Sequence, residues 1–226
     1  MWCVPELNSE YIERMENVLA IYEKPLDPRE PVVCMDEKPV QLLAETREPL
    51  VGTRGGQVRK RDYEYERRGT ANLYVAVEPK RGQFINRVTP NRKAPQFVRL
   101  LQRIERRYPG ARTIHLVMDN LNIHCERSAI GVLGERRGRR LWRKFKVHHT
   151  PKHASWLNMA ELGISLVSRQ ALGKDRFPNR RELRQRVTPW TARTNRIAKP
   201  IEWAFTRRDA RRVFKYDLSK ITRARH

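Results

Sequence analysis

The chain has 226 residues, enough for one or two domains, and 39% of them are hydrophobic. It contains no run of about 18 apolar residues and no N-terminal secretory pattern, which argues against a membrane span and predicts a cytoplasmic protein. The 48 lysines and arginines exceed the 25 aspartates and glutamates by 23 charges. So basic a chain predicts a polyanionic partner, and nucleic acid is the usual one.

The first third of the sequence predicts a helix followed by antiparallel strands. Residues 8–22 have helical spacing and precede prolines, so residues 1–30 are interpreted as a lead-in helix and a proline-rich linker. The apolar run 31–37 predicts a short buried strand that ends in acidic residues. Within residues 62–78, apolar and polar residues alternate on either side of the letters RRGT, which predicts a β-hairpin. Residues 81–88 predict a third antiparallel strand.

Helices and strands then alternate. They are predicted at residues 97–104 (helix), 113–119 (strand), 144–150 (strand), 154–172 (helix) and 179–187 (helix). Ser155 is the expected N-cap of the fourth of these elements, and Pro189 is expected to end the last. By fold-level analogy, this order predicts an α/β fold with an RNase H-like mixed sheet flanked by helices.

Two aspartates each follow an apolar strand. Asp36 ends the first predicted strand and Asp119 ends the fifth. Ligands of α/β sheets gather beyond the carboxyl ends of the strands, so these two carboxylates can converge there. Aspartate is also common after strands because it favours turns, and for either residue alone this interpretation stays open.

A third acidic residue lies on the predicted helix 154–172. Leu157, Ala160, Glu161, Ile164 and Val167 follow the spacing of one helical stripe, which predicts that Glu161 faces the sheet. A carboxylate buried there costs several kcal/mol unless it is paired or binds a cation. An arginine from elsewhere in the chain remains an alternative partner.

Three carboxylates brought together would repel one another and raise their pKa values. Divalent cations relieve that repulsion, and hard oxygen ligands suit Mg²⁺. Two ions about 4 Å apart can activate the attacking oxygen and stabilise the leaving oxygen in a phosphoryl transfer. The three acids therefore predict a two-ion site.

Three segments resemble the acidic motifs of DDE transposases, and most resemble the insertion-sequence-630 branch of the mariner superfamily. They are VVCMDE (residues 32–37), HLVMDNLNIH (115–124) and HHTPKHASWLNMAE (148–161). DYEYERRGTANLYV (62–75) and SRQAL (168–172) are also similar to that branch, and the resemblance extends from about Pro5 to Phe205.

The resemblance implies an RNase H-like catalytic domain at residues 31–205, followed by a basic tail at residues 206–226. It implies cut-and-paste movement of a DNA element with two Mg²⁺ or Mn²⁺ ions, in a prokaryotic, nucleoid-associated setting. DNA is the expected partner, and a homodimer is the expected active complex. Asp36, Asp119 and Glu161 match the catalytic, metal-binding positions.

Other motif residues are expected near the site. By the same resemblance, Asn120, His124 and Asn158 orient the site or face DNA. Contacts to DNA phosphates are predicted for Lys152, His153, Arg59, Lys60, Arg61, Arg136 and Arg137. For Lys152 and His153, a solvated loop is an equally good interpretation.

Two alternatives remain open from the sequence. One is a ribonuclease H-type nuclease on the same fold, and the other is a non-catalytic transposase remnant that binds DNA through its charge. Family members carry an N-terminal helix-turn-helix region, and no segment here resembles one, so a fragment, a split reading frame or a decayed copy is also expected. Lys38, and Gly163 within the catalytic helix, depart from the branch pattern.

Overall fold

The computed structural model describes residues 7–47 and 63–217. The predicted DNA contacts Arg59, Lys60 and Arg61 lie outside the described residues. Within the described part, no helix is long and apolar enough to cross a membrane.

A five-stranded mixed sheet forms the centre of the fold. Its strands are β1 (Val32–Glu45), β2 (Tyr65–Glu78), β3 (Gln83–Thr89), β4 (Ile114–Met118) and β5 (Phe145–His149). Their order across the sheet is β3-β2-β1-β4-β5. β2 is antiparallel to both β1 and β3, whereas β4 runs parallel to β1 and β5 runs parallel to β4. This arrangement confirms the predicted mixed sheet.

Helices cover both faces of the sheet. They are α1 (Ser9–Glu23), α2 (Ala94–Arg107), α3 (Glu126–Leu133), α4 (Glu135–Trp142), α5 (Ala160–Val167), α6 (Arg180–Ile197) and α7 (Arg207–Phe214). Buried residues of α1, α5, α6 and α7 join one hydrophobic cluster with one face of the sheet, and those of α2, α3 and α4 join a second cluster on the other face. We call these the α5 face and the α2 face.

The first two strands are longer than the sequence predicts. β1 continues to Glu45, so Asp36 lies inside a strand and not at its end. The predicted hairpin is wrong, because β2 runs unbroken through the letters RRGT. The pairing of β2 with β1 shifts register between Gln41 and Leu43, opposite Gly69, whose φ is +92°. A glycine at positive φ accommodates the extra residue of a β-bulge, which gives the same local sequence signal as a turn.

The predicted helix at residues 154–172 begins later than expected. Ser155–Leu157 form a short 3₁₀ turn, and α5 starts at Ala160, so Ser155 is not the N-cap. Asn158 instead links the start of α5 to β1 by two hydrogen bonds. Its Oδ1 accepts one from Ala160 N at 3.1 Å, and its Nδ2 donates one to the backbone oxygen of Met35 at 2.9 Å. This buried amide therefore fixes the start of α5 against β1.

Helix α6 does not end at Pro189 as predicted but continues to Ile197. It covers the outer edge of the sheet, where β3 has no further strand beside it. The side chain of Asn195 accepts a hydrogen bond from Phe84 N at 2.7 Å and donates one to Phe84 O at 2.8 Å. These two bonds satisfy backbone groups that an uncovered edge strand would leave unpaired. Burial of one face of α6 offsets the loss of one helical hydrogen bond at the proline.

The segments on either side of the predicted catalytic domain pack together. Met15, Val18 and Leu19 of α1 are fully buried in the cluster on the α5 face. Arg207 and Arg211 of α7 form ion pairs of 2.8 Å with Glu23 and Glu16 of α1. The domain boundaries at residues 30 and 205 stay predictions.

Gly163 marks the closest approach of α5 to the sheet. A Cβ at this position would lie 3.1 Å from both Val75 Cγ1 and Phe84 Cε1. We expect Gly163→Leu to lower the free energy of unfolding by about 1–3 kcal/mol through overpacking. Gly131→Leu is the matched control, because Gly131 is also helical and has open space around it. Urea denaturation measures both, and equal stability of the two variants would contradict the close packing.

Candidate metal centre

Asp36 and Asp119 lie side by side on neighbouring strands. The parallel register of β1 and β4 pairs Val32 with His115 and Cys34 with Val117. Each aspartate follows the last of these pairs by two residues, so the same register brings both to the same point on the two strands. The predicted pairing of these two strands is confirmed.

Asp36 and the first turn of α5 share one face of the sheet. Cys34 and Val117 belong to the cluster on the α5 face, as does Ala160. Since side chains alternate along a strand, Asp36 points to this face; Asp119 lies beside it, just after the end of β4, with its Oδ1 near His124. Glu161, in the first turn of α5, therefore lies on the same side of the sheet as Asp36.

The predicted burial of Glu161 is wrong. The buried residues of α5 are Ala160, Gly163 and Val167, whereas Glu161 is exposed. The close contact at Gly163 rotates the helix so that its smallest residues meet the sheet. The cost of burying a carboxylate thus gives no argument for a cation at Glu161. The argument for a cation is instead that the charge of Glu161 acts on Asp36, although ligand atoms of Asp36, Asp119 and Glu161 are not grouped within 4.8 Å among the described residues.

The electrostatics of Asp36 show that the acids influence one another. Burial, and then the negative charges of Glu161, Asp119 and Glu37, raise the pKa of Asp36 to about 7. The hydrogen bond that its Oδ1 accepts from Glu37 N at 2.7 Å opposes this rise. Acids close enough to raise the pKa of Asp36 form a site that a cation would stabilise.

His124 lies on the α2 face and contacts the carboxylates of Glu37 and Asp119. Its Nε2 lies 2.9 Å from Glu37 Oε1, and its Nδ1 lies 2.7 Å from Asp119 Oδ1 and 3.1 Å from the backbone oxygen of Asp119. The ring packs on Phe97 at 4.7 Å between centroids. Burial lowers the pKa of His124, but the hydrogen bonds and charges of Asp119 and Glu37 outweigh it and raise the pKa to about 9. The histidine is therefore an imidazolium at neutral pH.

The donor atoms suit a hard divalent cation. Within the described chain, ligand atoms of Glu37, Asp119 and His124 lie within 4.8 Å of one another. Metal binding by His124 would require it to release its proton, so we assign His124 to holding the carboxylates. Asp119 Oδ1 is buried and shares His124 Nδ1 with the backbone oxygen of Asp119. A buried carboxylate oxygen with two further acids nearby is a suitable ligand for Mg²⁺ or Mn²⁺.

The remaining predicted site residues fall in different places. Asn158 is buried under the site, whereas Asn120, Lys152 and His153 are exposed around it. His153 has a φ of +59°, which is unusual for a residue with a side chain. Arg136 and Arg137 are exposed on α4, which packs on the α2 face. The structure therefore does not bring these two arginines to the face on which Glu161 lies.

Glu37 was missed from the sequence. Its side chain is 3% exposed and is bound to His124, yet alternation along β1 directs it away from Asp36, toward the α2 face. The signal that could have identified it is its place inside the first acidic motif, together with the histidine that ends the second motif. Neither residue alone indicates that the two meet.

Comparisons with known proteins agree with this architecture. Residues 31–184, more than half of the chain, match the sequence profile of the family described as DDE superfamily endonuclease. No match was found among curated protein sequences.

Solved structures of the Mos1 transposase are similar in fold. The paired-end complex with the left transposon end has a TM-score of 0.55 and 20% identity over 89% of this chain and 59% of that chain. The pre-cleavage transpososome has a TM-score of 0.55 and 19% identity, with the same coverage of the two chains. The paired-end complex with Mn has a TM-score of 0.52 and 17% identity, and 88% of this chain and 62% of that chain are covered. The chain thus spans about three fifths of the Mos1 chains, and the likeness confirms the RNase H-like fold.

Proposed function

Because the chain belongs to the DDE superfamily endonucleases, we propose that it is a transposase catalytic domain that cleaves DNA and joins strands at the ends of a mobile element. The observation that carries this proposal is the in-register pairing of β1 with β4, which sets Asp119 beside Asp36, the residue that points to the face where α5 presents Glu161. The three acidic motifs support assignment to the insertion-sequence-630 branch of the mariner superfamily.

Asp36, Asp119 and Glu161 are the proposed ligands of two Mg²⁺ or Mn²⁺ ions. When bound, such ions supply Lewis-acid stabilisation and an activated oxygen nucleophile for in-line phosphoryl transfer. Asp36 must first lose its proton, since its pKa of about 7 leaves it partly protonated near neutral pH. His124 orients the Asp119 carboxylate, and Asn158 holds the start of α5, and with it Glu161, against β1.

DNA is the proposed partner. The net charge of +23 supports a polyanion, and contacts of exposed Lys152 and His153, between β5 and α5, with DNA phosphates belong to the same proposal. We extend the proposal to a homodimer in the active complex, since the similar Mos1 structures are described as paired-end complexes. A prokaryotic, nucleoid-associated location belongs to the same proposal.

A cleavage assay tests the function. We expect the purified full chain to nick or cut duplex DNA that carries the element's own ends in Mg²⁺ or Mn²⁺, and to be inactive in EDTA, because the acids need the cation. An RNA–DNA hybrid of the same sequence is the second substrate. Cleavage of only the RNA strand would favour the ribonuclease H alternative, and failure to cut either substrate would favour the non-catalytic remnant.

A further inference from the structure

A concave cleft of about 690 Å³ lies at the β3 edge of the sheet, between α2 and α6. Five arginines line it, and we call it the arginine cleft: Arg87, Arg103, Arg106, Arg107 and Arg184. They come from three elements, namely β3, α2 and α6, so the fold gathers them from distant parts of the sequence. None of them was among the predicted DNA contacts.

None of these guanidinium groups forms a close ion pair in the described part of the chain, although the charge of Arg107 acts on buried Glu78 at longer range. The ion pairs between described residues involve other arginines, such as Arg176 and Arg186 on neighbouring surfaces. The hydrogen bonds seen within the cleft go to neutral groups: Arg107 donates to Gln83 Oε1 at 2.8 Å and Arg87 to the backbone oxygen of Gln96 at 3.5 Å. Burial, and then the charges of neighbouring arginines, lower the pKa of Arg87. This crowding of like charge is relieved when an anion enters the cleft.

We propose that the arginine cleft binds the sugar-phosphate backbone of duplex DNA and is a second DNA surface, separate from the three acids. The choice of DNA as the polyanion rests on the proposed function. The arginines of α2 repeat along one side of the helix, from Arg99 through Arg103 to Arg107. At 1.5 Å per residue this row spans about 12 Å, which matches about three to four phosphates at about 3.4 Å per strand.

The cleft lies two strands away from Asp36 across the sheet. Pairing across the sheet places Asp36 beside Val75, and Val75 beside Asn86, which lines the cleft. Two strand spacings are about 10 Å, the length of about three base pairs. Because Val75, which lies between them, is fully buried beneath α5, the cleft is a surface separate from the three acids.

The test compares two triple variants with the same net charge. The cleft variant is Arg103→Gln, Arg106→Gln and Arg184→Gln, and the matched control is Arg193→Gln, Arg196→Gln and Arg208→Gln. All six arginines are exposed, so neither set should impair folding. Fluorescence anisotropy would measure binding of a labelled duplex of about 24 base pairs to the full chain without divalent ions, between roughly 50 and 250 mM NaCl.

We expect the cleft variant to lose roughly 10- to 100-fold in affinity near 0.1 M salt, with a slope of log K against log salt that is smaller by about 2 to 3. The control should change the slope by less than about 1. Equal losses in the two variants would overturn the proposal, and tighter binding of an RNA duplex of the same length would overturn the choice of DNA. A cleft-specific loss without any metal-dependent cleavage by the parent would support the cleft and contradict the proposed function. Metal-dependent cleavage by the parent, together with equal salt slopes for the two variants, would support the proposed function and contradict the cleft.

Discussion

Alanine at Asp36, Asp119 or Glu161 is expected to abolish metal-dependent DNA cleavage while DNA binding persists. Each substitution removes a proposed ligand of the cations. Loss of a residue that merely orients a metal ligand lowers affinity or activity by about 10- to 100-fold, so loss of a ligand should exceed 100-fold. Each variant also raises the net charge by one, which favours DNA binding.

The control for Glu161→Ala is Glu202→Ala. Glu202 is exposed and lines the same apolar hollow as Glu161, beside Trp203, but lies outside the proposed ligand set. We expect this variant to cleave at the parental rate. Calorimetric titration with Mn²⁺ supplies a readout separate from cleavage, in which the three ligand variants should bind weakly and the control normally. A ligand variant that cuts DNA at the parental rate would remove that residue from the site.

The strands of the sheet were predictable where burial is continuous along the chain. Residues 114–118 are buried throughout because β4 is covered on both faces, and four of the five are apolar; the acid after them marks the strand end. The sequence around Gly69 was misinterpreted because a bulge and a turn both need a glycine at positive φ. Pairing with β1, between residues about 30 positions apart in the sequence, decides whether a bulge or a turn forms.

The site was predictable only in part, for a related reason. Asp36 and Asp119 stand out because each follows an apolar run, and parallel pairing brings them together. The rotation of α5 that exposes Glu161 depends on the fit of Gly163 against Val75, which helical periodicity alone does not contain. The arginine cleft was also hidden. With 48 basic residues in the chain, only the fold shows which arginines converge without a close carboxylate partner.

The stability of the metal-free protein should fall as the pH rises from 6.5 to 9, because His124 is protonated in the folded state. The raised folded pKa of about 9, against 6.5 for an ordinary histidine, means that its contribution is complete below pH 6.5 and is lost as the pH passes through 9. A difference of this size corresponds to about 3 kcal/mol. The lowered pKa values of His115, His148 and His149 place their effects below pH 6.5, outside this window.

Urea denaturation in EDTA at several pH values measures the fall in the free energy of unfolding. A His124→Gln variant should lack most of this fall. Removing the imidazolium leaves Glu37 buried without its cationic partner, which costs roughly 3–5 kcal/mol and can prevent folding. The double variant Glu37→Gln and His124→Gln removes both charges and avoids that cost. We expect its free energy of unfolding to fall much less than that of the parent between pH 6.5 and 9, because only the last part of the Asp36 titration, with its pKa of about 7, remains in this window. A parent protein with an equally flat profile would show that His124 is neutral and would leave it available as a metal ligand beside Asp119 and Glu37.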